Sequence, residues 1–291
     1  MTTSGYIDLH SHTTESDGSY TPQELVNLAL RTGLQALAIT DHDTFSGYQM
    51  ARPFAREAGL NLVRGIELNS RLYLASNGDH RAAHLLGLFP SREPSTGFTQ
   101  WIEEQREERR ERNRKLARTL QERGVDITLE EVEARGGNLT SRTHFAQVLL
   151  DKGYVETFEE AFRRYIGEDA PSYVERQSLT SEETIGRIRS GGGIPVVAHP
   201  VRLGLPRDLE RQALIKLKDA GLVGLEIYHS DQGPELQARY HQLAQDLDLL
   251  PTGGSDFHGR IKPNIDLGTG LRGNVRVPAE FLQRLREYSP S

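Results

Sequence analysis

Seven short apolar runs, rich in β-branched residues, recur along the chain, and most of them are followed by a segment with helix signals. The runs are Tyr6–His10, Ala36–His42, Asn61–Leu68, Ala82–Phe89, Ile194–His199, Gly224–His229 and Leu249–Gly253. A continuous apolar run of this length is typical of a strand that is buried on both faces, as in a parallel sheet. The alternation of such strands with helices predicts an α/β fold, either a (β/α) barrel or a doubly wound sheet.

Capping signals mark the helices between these strands. The segment Thr21–Glu24 predicts a capping box with proline at the first helical position. Thr180–Glu183 has the same form, and the three glycines Gly191–Gly193 predict the end of that helix. One connection differs, because no helical pattern separates the third run from the fourth. The pair Asn77-Gly78 predicts a hairpin turn there.

The middle of the chain breaks this alternation. Residues 95–173 carry helix signals and almost no strand signal, so we interpret them as a helical insertion domain in a barrel domain formed by residues 1–94 and 174–291. Within the insertion, Gln100–Arg123 predicts a long charged helix, which is either a solvated face held by salt bridges or a wall that contacts a polyanionic substrate. Two further capping boxes are predicted in this domain, at Thr128–Glu131 and Thr157–Glu160.

The composition narrows the functional classes. The 291 residues include no cysteine, which excludes disulfides, cysteine-ligated zinc and thiol nucleophiles. No stretch approaches the roughly 20 apolar residues that span a bilayer, and residues 1–5 lack the basic and apolar regions of a signal peptide. We therefore expect a cytoplasmic protein with no membrane partner. The net charge of −6 argues against general affinity for nucleic acid over the whole surface, so no stable binding of a duplex is expected, but it leaves a local basic cleft open.

The ten histidines are the second constraint, because many of them lie with carboxylates at or near the ends of predicted strands. The candidate ligands are His10, His12, Asp17, His42, Glu67, His84, His199, Asp256 and His258. The C-terminal ends of the strands in a closed parallel barrel converge on one rim, where barrel enzymes keep their active sites. Side chains that are scattered over most of the chain are therefore expected to meet in one place.

The spacing and chemistry of this set favour metal binding. In an extended chain His10 and His12 point the same way, and so do Asp256 and His258. A single histidine after a strand is more often a hydrogen-bonded core or loop residue, but that interpretation leaves the repetition at successive strands unexplained. The set exceeds the roughly four to six donors that one zinc or manganese ion takes, so it suits two or three ions. Imidazole and carboxylate donors without thiolate favour Mn, Fe or Zn over Mg.

Several of these segments resemble the PHP (polymerase and histidinol phosphatase) superfamily. The matching segments are Asp8–Thr13, Ser16–Gly18, Ile39–Asp43, His199-Pro200 and Ser255–His258. The resemblance extends from His10 to about Gly270. It implies a distorted (β/α)7 barrel with a trinuclear metal site, and the seven apolar runs agree with that number of strands. It also assigns the candidate ligands above to that site.

Within the superfamily, the chain looks most like the bacterial branch that has a helical insertion and acts on nucleotides. The segment Asn138–Ala146 resembles the insertion motif of that branch. Its members include 3′,5′-nucleotide bisphosphate phosphatases and 5′→3′ exonucleases that trim short RNA. The resemblance therefore implies a phosphoesterase whose partner is a nucleotide or a short oligonucleotide, and it leaves the oligomeric state open.

The implied reaction is hydrolysis of a phosphate ester by metal-activated hydroxide. Metal binding lowers the pKa of water, and the ions neutralise charge on the phosphoryl oxygens. We assign Glu67 as the carboxylate that bridges the ions. Asp8, Asp41 and Asp43 are expected to orient the imidazoles, with a turn or a helix cap as the alternative for Asp8 and Asp43.

Cationic side chains are expected to hold the phosphate of the substrate. Arg142 and His144 lie in the insertion motif and Arg202 follows His199-Pro200, and arginine offers bidentate geometry to phosphate. A salt bridge within the insertion is the alternative for Arg142. His229, at the end of a predicted strand, is a candidate general acid for the leaving oxygen or a substrate contact. The alternative for His229 is an ordinary core or loop histidine.

Four other functional interpretations compete with a nucleotide phosphoesterase. A phosphatase for a small metabolite, such as histidinol phosphate, would use the same site. A non-catalytic metal-binding scaffold predicts a gap in the ligand set, and the sequence shows no such gap. Amidohydrolase chemistry on C–N bonds often uses a carbamylated or bridging lysine, for which the predicted strand ends offer no candidate. Hydrolysis of a carboxylate ester or lactone fits the same residues.

Overall fold

The computed structural model describes residues 5–74, 79–136, 140–167, 169–174 and 179–288. The chain forms two compact units. The first, which we call the barrel unit, comprises Met1–Thr99 and Ser178–Ser291, and the second, which we call the helical unit, comprises Gln100–Gln177. The predicted division into a barrel domain and an insertion domain at residues 95–173 stays a proposal.

All seven apolar runs form strands, and shorter strands follow them in the barrel unit. The strands are β1 (Tyr6–Asp8), β2 (Ala36–Ile39), β3 (Asn61–Tyr73), β4 (His80–Phe89), β5 (Ile194–Val197), β6 (Gly224–Tyr228), β7 (Leu250–Gly253), β8 (Ile265–Asp266), β9 (Gly270–Leu271) and β10 (Val277–Pro278). Eight of them form one sheet in the order β10-β1-β2-β3-β4-β5-β6-β7, and β8 pairs with β9.

The direction of one strand distorts the barrel. β1, β2 and β3 run parallel, and so do β5, β6 and β7, but β4 is antiparallel to both of its neighbours. β3 and β4 form one long antiparallel pair from Arg64↔Phe89 to Tyr73↔His80. The hairpin turn that we predict at Asn77-Gly78 lies outside the described residues. The distorted (β/α)7 barrel is confirmed, with β10 as an additional antiparallel strand beside β1.

The sheet almost closes on itself beyond the last residues of β1 and β7. The backbone N–H of Leu9 donates to the carbonyl of Gly253 at 3.1 Å. Farther along, the N–H of Asp256 donates to the carbonyl of His10 and the N–H of His12 donates to the carbonyl of Phe257, both at 2.9 Å. The two segments that carry the first and last predicted ligands therefore lie side by side.

Burial on both faces explains the continuous apolar runs. In β2, Ala36 and Ala38 belong to a core cluster with residues of the other strands and of the last helix. Leu37 and Ile39, which alternate with them, belong to a second cluster with the helices that follow β1 and β2. Because successive side chains point to opposite faces of a strand, one run supplies both clusters.

Helices connect the strands, and the predicted caps begin several of them. The helices are α1 (Pro22–Thr32), α2 (Ser46–Ala58), α3 (Thr96–Glu122), α4 (Leu129–Gly136), α5 (Arg142–Asp151), α6 (Phe158–Ala161), α7 (Ser181–Ser190), α8 (Arg207–Asp219), α9 (Pro234–Asp246) and α10 (Glu280–Glu287). Thr21 and Thr180 form both bonds of the predicted capping boxes, with Glu24 and Glu183. Phe162–Ile166 continues α6 as a π-helical turn.

The helical unit has its own apolar core, which includes Leu120, Phe145 and Ile166. Reciprocal bonds between Thr128 and Glu131 form the predicted capping box. The box predicted at Thr157–Glu160 is only half formed. The hydroxyl of Thr157 accepts from the N–H of Glu160, but the carboxylate of Glu160 accepts from the N–H of Glu156. The carboxylate therefore caps the preceding residue instead.

The charged helix α3 carries ion pairs on its exposed face. Arg106 pairs with Glu103 at 2.9 Å within the helix, and Arg110 pairs with Glu133 of α4 at 2.8 Å. These pairs support the interpretation as a solvated, salt-bridged face. In the part of the chain that the structure describes, no helix combines the length and the apolar composition required to cross a membrane.

Candidate metal centre

The segment after β1 forms the first wall of the candidate site. It stays extended where Ser11 pairs with Phe257 in the segment after β7. The hydroxyl of Ser11 donates to the carbonyl of Ala38 at 2.6 Å, so this side chain points toward β2. His10 and His12 share the opposite direction, as their spacing predicts.

A single buried carboxylate lies at the centre of the histidines. Glu67 in β3 is 1% exposed, and its Oε1 atom lies 2.7 Å from Nδ1 of His84 and 3.0 Å from Nε2 of His199. Its Oε2 atom faces the Nε2 atoms of three more imidazoles, at 3.3 Å (His10), 3.1 Å (His12) and 3.4 Å (His42). A carboxylate with imidazoles around both oxygens has the surroundings expected of a bridging ligand.

Two aspartates extend the cluster on either side of His12. Asp256 Oδ1 lies 3.4 Å from His12 Nε2, and Asp17 Oδ1 lies 3.4 Å from His12 Nδ1. His258 joins the two carboxylates, since its Nε2 atom is 3.4 Å from Asp17 and its Nδ1 atom is 3.5 Å from Asp256. Asp17 is the more open of the two, with 35% of its side chain exposed against 2% for Asp256. Solvent therefore reaches the cluster from the Asp17 side.

The donor atoms form three overlapping groups, and within each group they lie within 4.8 Å of one another. The groups are His12, Asp17, His42 and His258; His10, His12, Glu67 and Asp256; and His42, Glu67 and His84. His199 contacts the cluster through Glu67. The structure thus brings together every ligand that the sequence predicts.

This donor set fits divalent metal ions. The buried Nε2 atoms of His10 and His12 have no hydrogen-bond partner among the described residues, although they face carboxylate oxygens. Buried polar atoms are normally paired, so two imidazole nitrogens that point with carboxylates into one space indicate a cation. Imidazole and carboxylate are also the donors that divalent transition metals take where thiolate is absent.

The charges within the cluster keep its carboxylates ionised. Burial raises the pKa of Glu67, but the imidazoles of His42 and His10 outweigh this and hold the pKa well below its usual range. Burial lowers the pKa of His12, yet the adjacent carboxylates of Asp256 and Glu67 raise it to about 10. Burial lowers the pKa of His42 to about 4. Because a proton and a metal ion compete for the same nitrogen, an ion held by His12 would take the place of that proton.

Glu226 supports two of the histidines from behind. This fully buried residue of β6 lies 3.0 Å from Nδ1 of His10 and accepts a hydrogen bond from the backbone N–H of His199 at 2.6 Å. A carboxylate on Nδ1 fixes the orientation of the ring and leaves Nε2 directed at the centre. Glu226 is not among the site residues predicted from the sequence. The available signal was a carboxylate within the otherwise apolar run Gly224–Tyr228.

Asp8 holds loop backbone rather than an imidazole ring, which agrees with the turn alternative. Asp41 reaches His12 through Ser16, whose hydroxyl donates to Asp41 and lies 3.4 Å from Nδ1 of His12. Asp8 accepts hydrogen bonds from three backbone N–H groups, those of His10, Ser255 and Gly268. Asp41 accepts from the backbone and hydroxyl of Thr13 and from the hydroxyl of Ser16. Asp43 adopts a left-handed backbone with φ 52°, which agrees with the turn alternative.

Two of the predicted ligands lie in strained backbone. Asp256 has φ 55° and His199 has φ 29°, a region that non-glycine residues rarely occupy. Such strain persists where the surrounding structure fixes the residue, and it is concentrated at functional sites. The segments after β1 and β7 pack closely at Gly254, because a Cβ added to this residue would lie 2.3 Å from the backbone nitrogen of His10.

Cationic groups surround the second oxygen of Asp256. Nη2 of Arg202 lies 2.9 Å and Nζ of Lys262 lies 2.8 Å from Oδ2, and Nε2 of His229 lies 3.4 Å from it. Arg202 and Lys262 are 37% and 30% exposed, whereas His229 is buried. Nδ1 of His229 accepts from the N–H of Asp231, so the neutral ring carries its proton on Nε2. Lys262 is not among the predicted residues, because a single loop lysine has no spacing signal.

Arg142 and His144 lie on α5 in the helical unit. The backbone N–H of Ser141 donates to Nδ1 of His144 at 3.0 Å, so an imidazole takes the place of glutamate in a capping box. The guanidinium of Arg142 lies over the rings of Phe162 and Tyr173. These contacts are cation–π interactions. The part that Arg142 and His144 take in substrate binding stays a proposal.

The family profile described as PHP domain matches residues 8–177, which is more than half of the chain. The chain belongs to the PHP domain family. The resemblance drawn from the motifs is therefore confirmed, and this PHP protein has the nearly closed barrel that the resemblance implies.

Known relatives of this PHP protein are named as phosphoesterases. It is 31% identical to a 5′-3′ exoribonuclease of Haemophilus influenzae, over 86% of this chain and 89% of the relative. It is 31% identical to a 3′,5′-nucleoside bisphosphate phosphatase of Chromobacterium violaceum, over 90% of each. A solved structure from Bifidobacterium adolescentis, named as a metal-dependent phosphoesterase, has a TM-score of 0.76 and 30% identity, and it covers 98% of this chain and 97% of that chain.

Proposed function

We propose that this PHP protein is a metal-dependent phosphoesterase that hydrolyses phosphate esters of nucleotides. Its substrate is a 3′,5′-bisphosphate nucleotide or the 5′ end of a short RNA. The proposal rests above all on the surroundings of Glu67. This buried, ionised carboxylate has imidazole nitrogens around both of its oxygens. The names of its relatives support a nucleotide or RNA substrate.

The three overlapping donor groups would hold two or three divalent ions, and we propose Mn, Fe or Zn. Such ions, when bound, lower the pKa of water and offset the charge of phosphoryl oxygens. Glu67 and Asp256 supply negative charge, and Glu226 keeps the ring of His10 directed at the centre. The proposed ligands are the nine residues that the sequence predicts: His10, His12, Asp17, His42, Glu67, His84, His199, Asp256 and His258.

We propose that cations beside Asp256 bind the phosphate. Arg202 and Lys262 are held by the carboxylate of Asp256 yet remain partly exposed, so they combine fixed positions with access to a ligand. His229 holds a proton on Nε2 in the same place and is the proposed general acid for the leaving oxygen. Arg142 and His144 are proposed as phosphate contacts from the insertion.

The relatives do not favour the alternative of a small-metabolite phosphatase, since they are named for nucleotide and RNA substrates. That the protein works in the cytoplasm, as the sequence leads us to expect, stays a prediction.

A substrate panel tests the proposed function. Enzyme loaded with Mn²⁺, Fe²⁺ or Zn²⁺ is assayed for phosphate release from adenosine 3′,5′-bisphosphate and histidinol phosphate, and for mononucleotide release from a 5′-phosphorylated RNA pentamer. We expect turnover of one or both nucleotide substrates, with loss of bound metal and activity in Glu67→Gln. The exposed Glu103→Gln on α3 serves as the matched control. Turnover of histidinol phosphate equal to or above that of the nucleotides would contradict the proposal, as would full metal content in Glu67→Gln.

A further inference from the structure

A polar groove opens on the barrel unit beside the metal centre. It has a volume of about 250 Å³ and is open to solvent on one side. Its walls come from the segment before α1, from one face of α1 and from the short turn after His258. The lining residues are Ser19, Tyr20, Glu24, Asn27, Arg31 and Arg260.

The groove is built on the same segments as the metal centre. Ser19 follows Asp17 by two residues and Arg260 follows His258 by two residues, so both walls continue from candidate ligands. The hydroxyl of Ser19 donates to the carbonyl of His258 at 3.1 Å and accepts from the N–H of Arg260 at 2.7 Å. Gly259 permits this contact, because a Cβ there would lie 2.3 Å from the hydroxyl oxygen of Ser19.

The charges of the groove suit an anion. Among the described residues, no hydrogen bond or close ion pair occupies the guanidinium group of Arg31 or of Arg260. The carboxylate of Glu24, the acidic group of the lining, is taken up by the backbone N–H and hydroxyl of Thr21. Two arginines against one engaged carboxylate leave the groove with a net positive charge.

The groove is also elongated. Glu24, Asn27 and Arg31 occupy successive turns of one face of α1, so they follow the helix axis. At 1.5 Å per residue, the helix rises roughly 10 Å from Glu24 to Arg31. A chain of linked phosphates fills such a groove better than a single phosphate does.

We propose that this groove binds the nucleotides that follow the scissile phosphate of a short single-stranded RNA. The inference rests on the proposed function and selects the oligonucleotide as a substrate. Arg260, two residues after His258, holds the first downstream phosphate, and Arg31 holds a later one. Tyr20, whose ring packs edge-on against Phe257, offers a fixed aromatic surface beside the strand.

The test compares Arg260→Ala, Arg31→Ala and the double variant with wild type. We measure kcat/KM for a 5′-phosphorylated RNA pentamer and for adenosine 3′,5′-bisphosphate, and anisotropy-monitored binding of a fluorescein-labelled pentamer to metal-free protein. The ratio of kcat/KM for the pentamer to kcat/KM for adenosine 3′,5′-bisphosphate is expected to fall about tenfold in the double variant, because that variant loses two charge-assisted phosphate contacts that only the pentamer makes. The slope of the logarithm of the pentamer binding constant against the logarithm of the salt concentration should become less negative by about 0.7 for each phosphate contact removed.

Arg56→Ala is the matched control. Arg56 is exposed in the last turn of α2 and is followed by a glycine C-cap, as Arg31 is in α1, but it lies outside the groove. If the double variant shows an unchanged ratio of kcat/KM values and unchanged pentamer binding, the groove does not bind RNA. The proposed function would still hold in that case, provided that the protein hydrolyses a nucleotide substrate. Arginine-dependent binding of the pentamer by a protein that hydrolyses no nucleotide substrate would instead support the groove and reject the proposed function. Equal losses in Arg56→Ala would also overturn the groove.

Discussion

At the scale of single residues, the side chains of the metal centre are arranged to bind ions rather than to stabilise the fold. Glu67 and Asp256 are buried carboxylates, and His10 and His12 are fully buried imidazoles. Burying ionised groups costs free energy unless partners offset it. Here the imidazoles offset part of that cost by holding the pKa of each carboxylate low. Bound cations would offset more, so the site favours the metal-loaded state.

The contacts of Lys262 lead to a prediction for substrate binding. We expect Lys262→Ala to raise KM for adenosine 3′,5′-bisphosphate about tenfold while metal content is retained, because a charged hydrogen bond contributes about 1.5–3 kcal/mol. Steady-state kinetics together with elemental analysis check this. Lys218→Ala is the control, since Lys218 is 35% exposed and pairs with Asp248 away from the site. A KM for Lys262→Ala equal to that of Lys218→Ala would remove Lys262 from the site.

At the scale of elements, local capping fixes where helices begin, and tertiary contacts decide how a carboxylate is used. Thr21 and Glu24 exchange bonds as their spacing predicts. Glu160 has the same spacing from Thr157 but caps the N–H of Glu156. On α5 an imidazole, His144, completes the box. The hydroxyl part of the motif is therefore more predictive than the identity of the residue three positions later.

The cap of α1 leads to a stability prediction. We expect Thr21→Ala to lower the free energy of unfolding by about 1 kcal/mol at neutral pH, because the N–H of Glu24 loses its acceptor. Thr32→Ala at the other end of the same helix is the control, since its hydroxyl only bonds the carbonyl of Leu28. Urea unfolding of both variants gives the comparison. Equal destabilisation by the two substitutions would show that the cap contributes nothing specific.

The same cap has a pH dependence whose sign follows from Glu24. Bonds from the backbone and hydroxyl of Thr21 lower the pKa of Glu24 below its ordinary value. A carboxyl group whose pKa is lower in the folded state stabilises above its unfolded pKa, and this contribution is lost as the pH falls through the folded pKa. The difference in the free energy of unfolding between wild type and Thr21→Ala should therefore become smaller in acid. A difference that grows on acidification would contradict this account.

At the scale of the whole molecule, closure of the sheet creates the site. The predicted ligands follow strands β1, β2, β5 and β7 or lie within β3 and β4. Pairing of the segments after β1 and β7 completes the ring and places His10 beside Asp256. The antiparallel β4 is long enough to carry His84 to Glu67 within the ladder it forms with β3. A fold that left the barrel open would separate these donors.

Because the ligands come from most of the barrel strands, bound metal should stabilise the whole barrel unit. Addition of Mn²⁺ at about 100 times its Kd should raise the free energy of unfolding by about 2.7 kcal/mol and increase Tm, because the ion binds the folded state. Calorimetry with and without chelator measures this. Glu67→Gln should lose most of the metal-dependent shift. An identical Tm in Mn²⁺ and in chelator would show that the donors do not bind ions cooperatively with the fold.

The sequence by itself predicted the seven longer strands, four of the helix starts and the candidate set of metal donors. These follow from local physics, because apolar runs and capping residues act over a few positions and donor chemistry belongs to residue type. Only the tertiary structure decided the antiparallel pairing of β4 with β5, the support of His10 by Glu226, and the placement of Arg202 at Asp256. Each of these joins residues that are distant in the chain and meet only when the sheet forms. Spacing along the sequence carries no signal for such contacts, so the loops and supporting groups of the site had to be read from the fold.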